Sequence, residues 1–343
     1  MSDIFQNYRR EQKSINKTRI IFISIITILS CAAVILTALN IYKYSAVYRE
    51  RLSESSVIFR PLPFELKDDE LLITIIDVKQ GDAILIETPN GKAILIDGGE
   101  GQSSEFDLSA RIEAGKRYVY PHLLRRGIKK LDAVVATHPH SDHIGGLLWI
   151  FDNITVEKVF DSGYSYSSDV YKRFLNKIKE KQIKYIIPKS NDILDFGEDV
   201  FCQVLYSNQF PDKVNNASIT LLLKYKNNTF ILPADLEKNM EQEVAARYGK
   251  NLKADFLKVA HHGSNTSTDK IWLDVVQPKY SAISVGENNK FRHPSQEILQ
   301  RLKDYNSEIY RTDLHGNIYV VSNGSAITIY TEKAPPKKSD EKE

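Results

Sequence analysis

The chain carries 343 residues, with 46 Lys and Arg set against 44 Asp and Glu, for a formal net charge of +2. So even a balance neither demands a polyanionic partner nor excludes one. The two cysteines, Cys31 in an apolar run and Cys202 in a strand-like run, cannot sensibly pair, which excludes a disulfide-built domain and marks Cys202 as core filler.

The first element in chain order is Ile20 to Tyr42, a nearly unbroken apolar run, IIFISIITILSCAAVILTALNIY. At about 1.5 Å per helical residue it covers roughly 35 Å, enough to cross a hydrocarbon core of about 30 Å. Arg9, Arg10, Lys13, Lys17 and Arg19 precede it, while Lys43, Arg49 and Arg51 come after it, diluted by Glu50 and Glu54. That bias orients the N-terminus to the cytoplasm and exports the C-terminal domain. The run is too long for a cleaved signal peptide, and it continues well past Ile28-Leu29-Ser30-Cys31, so a lipoprotein processing site is set aside. The expected organisation is a cytoplasmic basic segment (1–19), one transmembrane helix (20–42), a stalk (43–68), a large folded domain (69–331) and a disordered charged tail (332–343). The expected localisation is that of a single-pass protein of the cell membrane with its domain extracellular.

Leu71 to Asp77 predicts a strand. Ala83–Thr88 and Lys92–Asp97 come next as a hairpin, whose Pro89-Asn90-Gly91 connection has the Asn-Gly signature of a tight two-residue turn. A helical stretch over Ala110–Arg126 leads to a buried strand, Leu131–Ala136, and Ile144–Ile150 begins another helix. Asp169–Gln182 has helical spacing with Val170, Phe174, Leu175 and Ile178 on one face. Its Lys172, Arg173, Lys177, Lys179 and Lys181 read as a phosphate-attracting patch or, more simply, as a solvated face. Strands are predicted at Val200–Leu205, Ser218–Tyr225, Thr229–Leu232 and Ala254–Val259, with helices at Glu237–Tyr248 and Ser295–Tyr305. This order predicts an α/β fold in which two sheets pack together beneath outer helices. No internal repeat of fixed period is visible.

Chemistry concentrates between the fourth strand and its helix. Thr137-His138-Pro139-His140-Ser141-Asp142-His143 gathers three of the chain's eight His and a carboxylate in one strand-to-helix loop. Such a loop can hold two divalent ions side by side, where a chance polar loop would not cluster its imidazoles. Two further candidates stand at strand ends: Asp235 after Phe230–Ala234, and His261 after Phe256–Ala260. Asp235 also fits a plain helix cap. Asp97, before Gly98-Gly99, suits a carboxylate that accepts the outer N–H of a ligating His, or a simple turn residue.

On these residues the chain resembles the metallo-β-lactamase-fold hydrolases, whose HxHxDH signature Thr137–His143 matches. Within them it resembles the extracellular hydrolase domain of the ComEC competence proteins. The similar segments are Asp77-Val78-Lys79-Gln80-Gly81-Asp82-Ala83, Ile94–Gly99, Pro121–Gly127, Asn215-Asn216-Ala217-Ser218, Lys258-Val259-Ala260-His261-His262-Gly263-Ser264, Arg292-His293-Pro294 and Arg311-Thr312-Asp313. They run in order from Asp77 to Asp313. One departure is Lys79, where that family usually has Gly. The larger one is architectural, since nothing here corresponds to the membrane helices that form a DNA channel in ComEC.

The resemblance implies a four-layer αβ/βα sandwich and a pair of divalent ions, Zn²⁺ or Mn²⁺ given N and O ligands without thiolate. It implies His138 and His140 on one ion, Asp142, His143 and His261 on the other, and Asp235 bridging. A hydroxide shared by the ions would be the nucleophile. His262 and His293 would protonate the leaving group or hold an anionic substrate, with Asp142 also in the reacting set. Structural duties, beside the ligands for His262 and at a helix entry for His293, fit as well. Asp77, Asp82 and Asp97 would lie behind the ligands or face substrate. Many relatives add another His to the first ion, yet no His stands between His143 and His261. Water, Asn215, Asn216 or Ser218 would supplement that site, which weakens lactamase, glyoxalase and tRNA-processing activities. The expected function is an extracellular phosphodiesterase or nuclease acting on DNA or another phosphodiester, with Arg125-Arg126 and Lys129-Lys130 available to phosphates. The alternatives are hydrolysis of a small ester or a cell-envelope phosphodiester, and a non-catalytic metal-binding module.

Overall fold

In the structure, a computed structural model describing residues 62–101 and 113–334, apolar alternation sets the layering. The first half contains β1 (Leu71–Ile75), β2 (Ile84–Glu87), β3 (Ala93–Ile96), α1 (Tyr120–Arg125), β4 (Lys130–Leu131), β5 (Ala133–Ala136), α2 (Ser141–Ile144), α3 (Leu147–Asn153), β6 (Thr155–Val156), β7 (Lys158–Asp161), α4 (Asp169–Glu180) and β8 (Lys184–Ile186). The second half contains β9 (Ile193–Asp195), β10 (Val200–Tyr206), β11 (Thr220–Tyr225), β12 (Asn228–Leu232), α5 (Lys238–Tyr248), β13 (Phe256–Lys258), α6 (Lys270–Val276), β14 (Tyr280–Ile283), α7 (Gln296–Asp304), β15 (Glu308–Arg311), α8 (Thr312–His315), β16 (Ile318–Ser322) and β17 (Ile327–Thr331). All described residues belong to one compact unit, Arg60–Glu343.

Two sheets result, of order β17-β16-β1-β2-β3-β5-β7-β8 and β15-β14-β13-β12-β11-β10-β9, with a short β4-β6 pair beside them. Each sheet is antiparallel in one part and parallel in the other: β3-β5-β7-β8 in the first and β12-β13-β14-β15 in the second. Because side chains alternate along a strand, one face of each sheet serves a shared core and the other a helix layer. Ile94, Ile96 and Val135 meet Leu221, Leu223, Phe230 and Cys202 between the sheets. Leu95, Val134 and Ala136 pack instead with Leu147, Ile150 and Phe174 of the helices. Ile231 and Leu257 do the same with Val244, Trp272 and Ile298. The four-layer αβ/βα sandwich is therefore present, and Cys202 is buried core.

Several expectations shift in detail. The hairpin is closed by Thr88 and Lys92, whose backbones bond at 3.0 Å, so three residues form the connection instead of two. Gly91 takes φ +81, the left-handed position within it. On α4, Leu175 is 37% exposed and Tyr171 takes its place in the core. Ser168 caps that helix by accepting from the Tyr171 amide at 3.1 Å. Of its basic face, Lys177 and Lys181 are tied to Asp152 at 2.8 and 3.2 Å, as on an ordinary solvated surface. The segments expected at 1–19 and 20–42, and most of the stalk and tail, lie outside the described residues. Among the described residues no helix is long and apolar enough to cross a membrane.

The parallel strands end on the same rim, and tight backbone contact holds the loops there. A Cβ on Gly146 would lie 1.9 Å from the Gly98 carbonyl and 2.6 Å from the Gly115 amide. Gly98 follows β3, so this contact fixes α3 and the His-bearing loop against the first sheet. Gly146→Ala is expected to lower unfolding free energy by at least about 2 kcal/mol in urea titration, because backbone must move to admit one methyl group. Unchanged stability would show that the contact is not close-packed.

Candidate metal centre

The loops that leave the parallel strands carry most groups of the centre. Thr137 to His143 follow β5, Asp235 follows β12, and His261 and His262 follow β13, the rim where open α/β sheets bind ligands. At their meeting point lies one atom, Asp235 Oδ2. The Nε2 atoms of His143, His262, His138 and His261 stand 3.3, 3.6, 3.8 and 3.8 Å from it. His138 Nε2 also lies 2.9 Å from His140 Nδ1, and His262 Nε2 lies 3.4 Å from Asp142 Oδ2.

The outer nitrogens explain why these rings face inward. His143 Nδ1 meets Asp97 Oδ2 at 2.7 Å, His138 Nδ1 meets Thr137 Oγ1 at 3.2 Å, and His262 Nδ1 meets the Ser284 carbonyl at 3.0 Å. His261 Nδ1 meets Thr266 Oγ1 at 2.9 Å. When either ring is neutral, the Ser284 and Asp97 acceptors keep its proton on Nδ1 and turn an Nε2 lone pair toward a carboxylate. His143 Nε2, His262 Nε2 and Asp235 Oδ1 are buried with no hydrogen-bond partner. Imidazoles and carboxylates converging in this way form a donor set suited to a divalent cation. The residues present thus fit divalent metal.

Charge leads to the same conclusion. Asp82, Asp97 and Asp235 are buried and Asp142 is 23% exposed, against one buried ammonium, Lys258. Burial opposes ionisation of Asp235, but His143, His262 and His261 outweigh it and hold the carboxyl well below its usual range. Burial likewise opposes charge on His143, yet Asp235 and Asp97 hold its ring well above the usual value. His262 is pushed up to about 10 by Asp235 and Asp82 against the same penalty. His138 moves the other way, kept neutral by burial and by His143. In effect the imidazoles supply positive charge that the carboxylates demand and that metal ions would supply.

The candidates from the sequence fall into overlapping groups. Those close enough to share one ion are His138, His143 and Asp235; Asp142, His143 and His262; Asp82, Asp235 and His262; and Asp82, Asp97 and His143. The resemblance implied His261 beside Asp142 and His143; in the structure it is its neighbour His262 that stands close enough to those two to share one ion. Both residues take left-handed backbone, φ 49 and 54, and only the second is turned into the buried side. His261 is 22% exposed and faces Asn215, whose Nδ2 lies 3.5 Å from its Nε2. Asn215 Oδ1 is unpartnered, whereas Asn216 Oδ1 and Ser218 Oγ accept the Glu237 and Asp235 amides at 3.1 and 3.2 Å. Those two residues therefore position Asp235 and its loop. Asp97 also accepts from the Thr137 amide at 2.9 Å, so its carboxylate fixes both loop and ligand. Asp77 belongs to none of these groups and pairs with Lys79 at 3.1 Å. Lys79 sits at φ +69, a conformation glycine adopts freely.

One residue of the centre was not singled out from the sequence. Lys258, wholly buried, donates to Asp82 Oδ2 at 2.8 Å, and Asp82 Oδ1 stands 3.4 Å from His262 Nδ1. Breaking a buried pair of this kind costs about 3–5 kcal/mol. The signal available was a lysine inside an apolar strand, Phe256-Leu257-Lys258-Val259, where a charge needs a partner. His122 is also buried, with its ring pushed to about 3 by burial and by Arg125 and Arg126, and it packs against Tyr319. His315 is buried and meets the Arg311 carbonyl through Nδ1 at 2.9 Å.

The model of the metallo-beta-lactamase superfamily matches residues 76–287. ComE operon protein 3 of Bacillus subtilis (strain 168) is 32% identical over 268 residues, covering 77% of this chain and 34% of that protein. Competence protein ComA of Neisseria gonorrhoeae is 26% identical over 254 residues, covering 74% and 33%. The chain thus spans about one third of the length of these curated relatives. A solved metallo hydrolase from the archaeon Ignicoccus hospitalis superposes with a TM-score of 0.45 at 13% identity, covering 76% of this chain and 100% of the other. Asp97→Asn is expected to weaken metal affinity roughly 10- to 100-fold in competition with a chromophoric chelator, because His143 loses its orienting acceptor. Unaltered affinity would remove His143 from the ligand set.

Proposed function

Because the chain belongs to the metallo-beta-lactamase superfamily, we propose that it is a membrane-anchored, dinuclear metal-dependent phosphodiesterase whose domain faces the cell exterior and whose substrate is a nucleic acid. The observation that carries the chemistry is the convergence of four imidazole nitrogens on Asp235 Oδ2. In this account His138 and His140 would hold one ion and Asp142, His143 and His262 the other, with the Asp235 carboxylate available to both. Bound divalent ions supply Lewis-acid charge for a phosphoryl oxygen and make water nucleophilic at neutral pH.

The chain's own residues do the rest. Thr137, Asp97 and the Ser284 carbonyl hold the outer N–H groups, so the rings keep their aim without reorganising. His261 and Asn215, at the rim beside Asp235, are placed to touch substrate. His293 is pushed down to about 4 by burial and by His262 and His261, so at neutral pH its uncharged ring offers an N–H hydrogen bond to an anionic oxygen. A nucleic acid is favoured among phosphodiesters by the relative named a competence protein. The anchor rests on the apolar run Ile20 to Tyr42 and its basic N-terminal flank.

The test uses the full-length chain in detergent, with Mn²⁺ or Zn²⁺ added. Hydrolysis of bis(p-nitrophenyl) phosphate is expected, with kcat/KM lowered at least roughly 100-fold by Asp235→Asn. Single-stranded DNA, duplex DNA and RNA are compared on the same preparation. Bound metal without turnover would establish a binding module instead, and turnover of the small diester with indifference to all three polymers would remove the nuclease assignment.

A further inference from the structure

The imidazoles of the centre continue at both ends into other aromatic rings. Past His140 stands Tyr166, with ring centroids 5.8 Å apart, and past Tyr166 stands Tyr164 at 6.4 Å. On the other side His261 is followed by His293 at 5.9 Å, and His293 by Phe291 at 5.8 Å, nearly parallel at 22°. Between these ends His138, His143 and His262 complete an unbroken file of rings, with steps of 4.1 to 6.1 Å. The Tyr164–Tyr166 arm leaves β7 of the first sheet, and the Phe291–His293 arm leaves β14 of the second, so the centre lies between them.

Both arms are built to hold still. Asp161, at the end of β7, accepts from Tyr171 and Tyr185 at 2.8 and 2.6 Å and from the Gly163 amide at 3.2 Å, which pins the start of the first arm. Asn289 donates to the Gly286 and His293 carbonyls at 2.9 and 2.7 Å and accepts the His293 amide at 3.0 Å, which closes the second. Phe291 nevertheless remains 52% exposed, with the Lys290 ammonium 5.0 Å from its ring. A single exposed Phe is common and needs no account. An exposed Phe that ends a file of rings running through the reacting groups has a use.

We propose that the two arms are nucleobase-stacking subsites on either side of the phosphodiester to be cut, so that the substrate is an unpaired strand. The proposal rests on the phosphodiesterase reading above. Bases in a duplex are already stacked on their neighbours, whereas an unpaired strand offers free π-faces. Stacking is tolerant of sequence, since every base has such a face. An arm on each side would centre the intervening phosphate over the metal-binding groups, which is positioning achieved with binding energy.

The experiment compares the full-length, Mn²⁺-loaded chain with Phe291→Ala and Tyr164→Ala on four substrates. These are a short single-stranded deoxyoligonucleotide, the same strand with abasic residues through its centre, its duplex, and bis(p-nitrophenyl) phosphate. Faster cleavage of the intact single strand than of the duplex is expected. Each alanine variant is expected to lose about tenfold in kcat/KM on the intact strand, mainly through KM, and less than about twofold on the abasic strand. Phe291→Tyr and Tyr164→Phe should restore the loss. Equal cleavage of abasic and intact strands, no preference over duplex, or variants that lose nothing would overturn the arms while leaving the nuclease reading in place. Turnover of the small diester with no polymer cut would overturn both the polymer substrate and the arms. Fluorescence anisotropy of a labelled single strand on the same loaded chain reads binding by itself. A Kd about tenfold weaker in each variant supports the arms, and an unchanged Kd overturns them even where nothing is hydrolysed.

Discussion

The centre depends on one carboxylate oxygen facing four imidazole nitrogens. Asp235 Oδ2 has no stable place in an apolar interior unless positive charge reaches it, and the surrounding Nε2 atoms cannot all bring protons without crowding like charges together. A divalent cation resolves both demands. The architecture is organised to hold that arrangement: each imidazole is fixed from behind by Thr137, Asp97, the Ser284 carbonyl or Thr266. Asp235 itself is fixed by Ser218 through its amide. Lys258 adds a buried counter-charge to Asp82 behind His262.

Two sheets are needed because no single loop could supply this set. The His138–His143 loop belongs to the first sheet, and Asp235, His261 and His262 belong to the second. The parallel parts of both sheets point their C-terminal ends at a common rim, so strand direction brings these side chains toward one another. The glycine contacts among Gly98, Gly115 and Gly146 then let the backbone approach closely enough to bring the loop into register. Fold stability and site geometry therefore share the same few backbone contacts.

The sequence showed the parts of this plan that are local. The HxHxDH loop after an apolar strand, Asp235 and the His261-His262 pair at strand ends, and the layered α/β class are all legible in short-range pattern. The elements that escaped did so for physical reasons. β8 and β9 are three residues each and largely exposed, too short for a periodic pattern to register, so neither reads as a strand. β14, β15 and α6 are likewise not predicted, whereas β16 and β17 do carry a local signal, an unbroken buried run and a period-2 alternation. The partner of Lys258 lies 176 residues away, a distance no periodicity reports. Choosing between His261 and His262 required two successive left-handed residues, which turn one ring inward and leave the other at the rim. The Thr88–Lys92 closing pair likewise depends on tertiary register beyond the Asn-Gly dipeptide.

The central claim is that Asp235 stands between two metal positions. Loading the full-length chain with Mn²⁺, desalting it, and recording metal content together with the electron paramagnetic resonance spectrum tests this most directly. The expected result is two Mn²⁺ per chain with an exchange-coupled signal that Asp235→Asn abolishes. One ion or fewer per chain, or two ions giving only isolated mononuclear signals, would contradict it.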